Sequence, residues 1–181
     1  MDTLGIIETN SVAAGIEAGD AMLKTAFVKL ESAQPVCPGK YIVMVSGDTA
    51  GVTASVNAGK KIAGDSLVNS IIISSLHEQV IPALACATVI RGKEAVGVIE
   101  TFSVAAAVIA ADAAVKAADV ELMEIRLGRG LGGKSFVVLC GGTSEVKAAV
   151  SASKQVEEVK GMLLRTVVIP ALHEDMLSAL M

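Results

Sequence analysis

GRGLGGKS, residues 128 to 135, fits the phosphate-binding pattern G-x-x-x-x-G-K-[ST], and Gly128, Gly130 and Gly133 also fit G-x-G-x-x-G. In either pattern glycine amides cradle phosphates at the start of a helix, whose free N–H groups face the anion. Lys134 is followed by SFVVLC, aromatic and β-branched, which predicts a strand and therefore no phosphate loop. GDSL (Gly64 to Leu67) resembles a hydrolase nucleophile motif, but no Asp-x-x-His accompanies it. The only histidines, His77 and His173, both stand in Leu-His-Glu and lack a second histidine one turn on, so a metalloprotease site is not expected. Three cysteines remain: Cys37 in QPVCPGK, Cys86 in an apolar stretch and Cys140 at the end of a strand-like run. Taken alone, a single cysteine is usually an inert small hydrophobe, so the setting of Cys37 among prolines and a glycine does not by itself make a metal site. Cys86 and Cys140 are expected to pack. No carboxylate pair or Ser-His-Asp set stands out, and catalysis is not expected.

The elements that position these residues come from a duplication. LGIIETNSVAAGIEAGDAMLKTAFVKL (Leu4 to Leu30) lies over VGVIETFSVAAAVIAADAAVKAADVEL (Val96 to Leu122) without a gap, and more than half of the positions are identical. Pro38 to Val56 then lies over Gly132 to Val150, and Ser70 to Leu84 over Thr166 to Leu180. The repeat is far longer than a solenoid unit, which predicts two domains, residues 1–90 and 91–181. Each copy reads as a β-branched strand, a Ser N-cap (Ser11, Ser103) and an Ala-rich helix to Thr25 or Ala117. Two strands around a Gly-bearing loop follow, then a second helix from Thr49 or Thr143, a strand and a short terminal helix. The expected class is α/β (α+β): an antiparallel or mixed sheet with flanking helices, twice. Glu8 and Glu100, just ahead of the first helices, suit the positive helix end.

Composition narrows the function. A net charge of -4 and 2% aromatic residues leave neither a basic field nor stacking platforms for nucleic acid. Val80 to Ile90, the longest uncharged apolar run, contains a proline and is too short to span a bilayer. MDTLGIIETN lacks a basic leader region, and an odd number of cysteines suits a reducing compartment, so a cytoplasmic location is expected. With 52% hydrophobic residues, self-association is a natural outlet.

VGVIET, AADAAVKAADVEL, a Gly-rich loop, a strand ending in Gly-Gly and a final I-P-x-x-H together closely resemble the bacterial microcompartment shell domain. The resemblance covers both copies and nearly the whole chain. It implies a two-domain member that forms a homotrimer with pseudo-hexameric symmetry, placed in the shell beside other shell proteins. It also implies that the loop between the second and third strands lines a pore on the axis. Val36, Cys37, Pro38, Gly39, Gly130, Leu131 and Gly132 would then line it. Lys24, Lys116, His77 and His173 would lie at the oligomer edge. The family's edge arginine, in a P-R-P-H run, is absent: the runs here are ISSLH and IPALH.

QPVCPGK further resembles the pore loop of the iron–sulfur-binding tandem members from propanediol-utilising compartments. That implies one Cys37 thiolate per subunit and a 4Fe-4S cluster shared by three chains, with an encapsulated redox enzyme as a partner. Three thiolates about one point repel unless a cation neutralises them. Pro35 and Pro38 stiffen the loop, and Gly39 leaves room and an N–H that could donate to a cluster sulfur. Electron transfer across the shell is one use of such a pore, and delivery of whole clusters is another. Three thiolates with water would also suit zinc, and an unmetallated Pro-Gly turn bordering a metabolite pore is a further alternative. A free trimeric ligand-binding or signalling protein is the alternative from another class.

Overall fold

The computed structural model describes residues 3–88 and 94–180. The expected boundary at 90/91 lies outside them. The chain forms two compact units, one up to Leu76 with Arg129–Gly133, the other His77–Gly128 with the chain from Lys134 onward.

In the first unit, β1 (Thr3–Thr9) pairs antiparallel with β3 (Lys40–Gly47) on one side and β4 (Leu67–Ile73) on the other, and β2 (Lys29–Val36) pairs with β3. The sheet order is β2-β3-β1-β4. Helices α1 (Val12–Thr25) and α2 (Thr49–Ala63) cover it, and the core joins Ile7, Ala18, Met22, Val43, Val45, Val52 and Val56. Alternation along β3 sends Val43 and Val45 into this cluster, as the two-residue period of a strand requires.

The second unit repeats the plan in its own residues. It begins with the short α3 (Val80–Leu84). Strands β5 (Ala95–Thr101), β6 (Val120–Arg126), β7 (Ser135–Gly141) and β8 (Leu163–Ile169) are ordered β6-β7-β5-β8, all antiparallel. Helices α4 (Val104–Ala117), α5 (Thr143–Gln155), α6 (Glu157–Lys160) and α7 (Glu174–Leu180) complete it. Ladder irregularities recur at equivalent places, at Glu8/Thr9 and Glu100/Thr101 and again at Leu30/Ser32 and Leu122/Glu124. Duplicated sequence has reproduced register down to its bulges.

Ser11 and Ser103 cap α1 and α4 as expected, each accepting the N–H three residues on. Close strand–helix packing rests on one glycine per copy. A Cβ on Gly97 would sit 2.8 Å from Leu139, 2.9 Å from Val146 and 3.0 Å from Val150. Gly5 is equally tight against Val56 and Val52. GDSL falls on a single 3-10 turn, Gly64–Ser66, running into β4. None of the described helices is long and apolar enough to cross a membrane.

Candidate functional site

The turn joining β2 to β3 carries Cys37, Pro38 and Gly39. The Cys37–Pro38 peptide is cis, and Gly39 has φ 70°. Cys37 is a free, part-exposed thiol, while Pro38 and Gly39 are exposed. A Cβ on Gly39 would meet no atom within 4 Å, so open space lies beside the thiol turn. Val36 is different. Its side chain is buried within the single chain.

The Gly-rich segment Arg129–Gly133 belongs to this first unit, although it connects β6 to β7. Arg129 Nη1 donates to Gln34 Oε1 at 3.1 Å. Gly133 lies against the cysteine turn at φ 89°, where a Cβ would sit 3.2 Å from the Cys37 carbonyl oxygen and 3.2 Å from Pro38 Cδ. Only glycine combines that dihedral with that approach. Gly130 and Gly132, at φ 70° and 63°, project into open space, and Leu131 between them is part-exposed. Folding thus brings two loops some 90 residues apart onto one another, and one of them carries Cys37.

What can this turn hold? Among the described residues, no group of three His, Cys, Asp or Glu side chains gathers closely enough for a metal ion. One chain therefore offers one thiol ligand here. That donor fits an iron–sulfur or zinc centre only where several copies bring their Cys37 turns together.

The phosphate-loop reading fails on geometry. Ser135 begins β7 rather than a helix, and its hydroxyl is fully buried and without a partner, so it offers nothing to a magnesium ion. Lys134 Nζ is taken by Glu100 at 3.1 Å, and its counterpart Lys40 by Glu8 at 3.0 Å. Glu8 and Glu100 therefore act as lysine partners across the sheet, where the sequence had suggested a helix-end role. Glu8 is buried and Glu100 is about one-third exposed. Removing Lys40 strands a buried carboxylate, whereas water can solvate Glu100. Lys40→Met should destabilise by about 2 kcal/mol and Lys134→Met by less than about 1 kcal/mol, as read from urea melts. Equal losses would show that burial of the carboxylate does not set the cost.

Each of the proposed edge residues makes local contacts. Lys24 pairs with Asp20 at 2.6 Å on the exposed face of α1. Lys116 pairs with Asp112 at 2.5 Å, and Asp112 also accepts the His77 backbone N–H at 2.9 Å. His77 and His173 use Nδ1 locally, accepting from the N–H of Gln79 and of Asp175. Sequence reasoning missed Gln79. Its side-chain amide donates to the Val120 carbonyl at 3.2 Å and accepts from the Leu122 N–H at 2.8 Å, so it acts as a short extra rung on the edge of β6. Thr88 adds a hydrogen bond to the Met123 carbonyl at 2.7 Å.

Cys140 is buried, as expected, but Cys86 corrects the packing expectation: it is exposed, at φ 51°. Its thiol donates to Glu124 Oε1 at 3.6 Å, and Arg126 Nε binds the same carboxylate oxygen. Desolvation of the sulfur first, then the Glu124 charge and hydrogen bond, push the Cys86 thiol up; Arg126 opposes this. The Glu124 hydrogen bond likewise raises the Arg126 guanidinium. Cys86 should thus alkylate more slowly at pH 8 than an ordinary exposed thiol, and Glu124→Gln should accelerate it a few-fold by favouring the thiolate. Timed iodoacetamide labelling read by mass spectrometry checks this. Slower labelling in the variant would mean that Glu124 activates the thiol instead.

Comparison with known proteins accords with this geometry. The family model of the BMC domain matches residues 3–76 and again 95–172. The chain is 42% identical over 173 residues to the bacterial microcompartment shell protein PduT of Citrobacter freundii, covering 96% of this chain and 94% of that protein. It is 45% identical over 85 residues to a carboxysome shell protein of Hydrogenovibrio crunogenus, covering 45% of this chain and 83% of the relative. Among solved structures, a microcompartment protein from Desulfitobacterium hafniense superposes with a TM-score of 0.93 at 48% identity, covering 98% of this chain and 99% of the other. A fused permuted hexameric shell protein of the RMM microcompartment gives a TM-score of 0.59 at 27% identity, covering 84% and 82%. With two matched domains spanning most of its length, the chain belongs to the bacterial microcompartment shell-protein family.

Proposed function

We propose a redox role for this microcompartment shell component. Three copies associate about an axis, each directs its Cys37 turn to that axis, and the three thiolates hold one iron–sulfur cluster in the resulting pore. The observation that carries this reading is a free, part-exposed thiol on a turn with open space beside it and a second glycine-rich loop laid against it. The 4Fe-4S group, when bound, would supply one-electron exchange across the shell. The chain's own contributions are simpler. Cys37 supplies the ligand, Pro35 and Pro38 limit the freedom lost when it binds, and Gly39 and Gly130 keep the approach clear of side chains. Three thiolates brought together without a cation would repel, so association of the turns and metal binding favour each other.

Non-catalytic service in the shell follows from the same reading. Among the described residues no three His, Cys, Asp or Glu side chains gather for a metal ion, and on this reading Cys37 serves as a ligand and not as a nucleophile. Partners would be further copies, other shell proteins and an enclosed redox enzyme that exchanges electrons at the pore. Anaerobic purification with iron and sulfide reconstitution tests the proposal. About one cluster per three chains, with a reversible charge-transfer absorbance and an EPR signal on one-electron reduction, is expected. Protein that associates yet takes up no iron would leave an open metabolite pore and end the redox reading.

A further inference from the structure

The turn that carries Cys37 is held in part by a loop from far along the chain. Three residues, Cys37, Pro38 and Gly39, separate β2 from β3, whereas eight separate β6 from β7. The longer loop uses its extra length to lie against the shorter one, and its Arg129–Gly133 stretch belongs with the first unit. Two of its contacts bracket the thiol, one on Gln34, three residues before it, and one on the Cys37–Pro38 peptide.

The contact on Gln34 is a polar relay. Arg129 Nη1 donates to Gln34 Oε1 at 3.1 Å, and Gln34 Nε2 donates to Ser32 Oγ at 2.8 Å. A guanidinium only donates, so it selects the oxygen of the amide and turns the nitrogen toward Ser32. The contact on the peptide is steric. A Cβ on Gly133 would press on the Cys37 carbonyl oxygen and on Pro38 Cδ, each 3.2 Å away. Between these contacts Gly130 and Gly132 meet nothing within 4 Å of a Cβ position. Four of the six residues from Gly128 to Gly133 are glycine, so the segment loses much conformational freedom when it settles. Its one arginine side chain is the anchor that offsets this loss.

We propose that Arg129 is a positioning residue for the Cys37 ligand. Through Gln34 it holds the glycine-rich loop on the thiol turn, and Gly133 then bears on the Cys37 carbonyl from the far end of the loop. This rests on the ligand role proposed for Cys37, but its first test needs no metal. A ligand on a turn that is already held loses less freedom when it binds. Outer contacts that orient a metal ligand change metal affinity by about 10- to 100-fold.

Timed iodoacetamide labelling of the metal-free full chain tests the clamp, with Cys37 followed by mass spectrometry and Cys86 of the same molecule as the reference. Arg129→Ala and Gln34→Leu should each speed Cys37 labelling by about 2- to 10-fold, the change that loss of one ordinary hydrogen bond allows. The double variant should label no faster than either single one, since both remove the same contact. Gly133→Ala should speed labelling from the other end of the loop. Arg129→Lys keeps a donor and should return the rate close to wild type. Circular dichroism melts should be unchanged for the Arg129 and Gln34 variants.

After iron and sulfide reconstitution, Arg129→Ala should give up its iron at about one-tenth of the chelator concentration that wild type withstands, and Arg129→Lys should resist like wild type. Unchanged Cys37 labelling in both Arg129→Ala and Gln34→Leu would overturn the clamp. Equal acceleration in Arg129→Lys and Arg129→Ala would remove the hydrogen bond as its cause and overturn the assignment to Arg129. Faster labelling with unchanged resistance to the chelator would show a clamp that does not position the ligand, and the proposal would fall. Wild type that takes up no iron would instead end the ligand reading and the positioning role with it, while the labelling rates would still show whether Arg129 holds the turn.

Discussion

Cys37→Ser should reduce iron and sulfide in the reconstituted protein to background while leaving the assembled mass unchanged. Serine keeps the shape of cysteine, but its hydroxyl is a hard donor that stays protonated near neutral pH, so it cannot replace a thiolate on an iron–sulfur centre. Cys37 is part-exposed on a turn with open space beside Gly39, so stability should shift by less than about 0.5 kcal/mol. Serine at Cys86 should leave the metal content intact, because that thiol is engaged with Glu124 rather than with the turn. Serine at Cys140 should lower stability through its burial, again without loss of iron. Iron and sulfide quantified per chain, beside the charge-transfer absorbance, decide the matter. Retention of iron in Cys37→Ser would remove the turn from any role in metal binding and with it the redox proposal.

Leu139→Ala is expected to lower unfolding free energy by about 2–5 kcal/mol. Leu139 is fully buried on β7, directly opposite Gly97 of β5, and its Cδ1 fills the space that Gly97 leaves by having no side chain. Truncation removes apolar atoms from the centre of the unit. Val146 and Val150, held on α5, can collapse only partly onto the gap. For a chain of this size the loss corresponds to a fall in Tm of roughly 4–20 °C. Urea melts of wild type and variant check it, and Val12→Ala, at an exposed position, serves as the control within about 0.5 kcal/mol. A loss below about 1 kcal/mol would mean that the Gly97–Leu139 layer closes up, and that the strand–helix spacing is less constrained than the glycine contacts indicate.

Much of this architecture was legible locally. A serine ahead of an alanine-rich run specifies an N-cap, and α1 and α4 end where their repeats of apolar residues end, at Thr25 and Ala117. The run after Lys134 is β-branched, so it could be recognised as a strand, and the phosphate-loop pattern could be rejected without coordinates. Strands β4 and β8 are longer than the three apolar residues that announced them, because their first four residues, 67–70 and 163–166, are held by pairing to β1 and β5. Glu8 looked like a helix-end carboxylate because helix ends are local. Its actual partner, Lys40, is 32 residues away and reaches it only through the β1–β3 register.

Cys37 was singled out by the resemblance that QPVCPGK carries, but the loop that lies against it could not be. Nothing local in GRGLGGKS ties Gly133 to the Cys37–Pro38 peptide; that approach depends on where β6 and β7 place their connection. Gln79 was invisible for a related reason. A glutamine beside a histidine carries no signal until an edge strand with free backbone groups is set next to it.

The sequence alone determined the duplication, the order of elements in each copy and the two decoy motifs, because propensity, period and turn chemistry act over a few residues. Only the tertiary structure decided the fate of equivalent residues. Ile16 is exposed and Val108 buried, and Cys86 is exposed where its apolar surroundings promised packing. Burial is a property of what lies opposite a side chain, and for a repeated sequence the two copies share many local cues but not their neighbours.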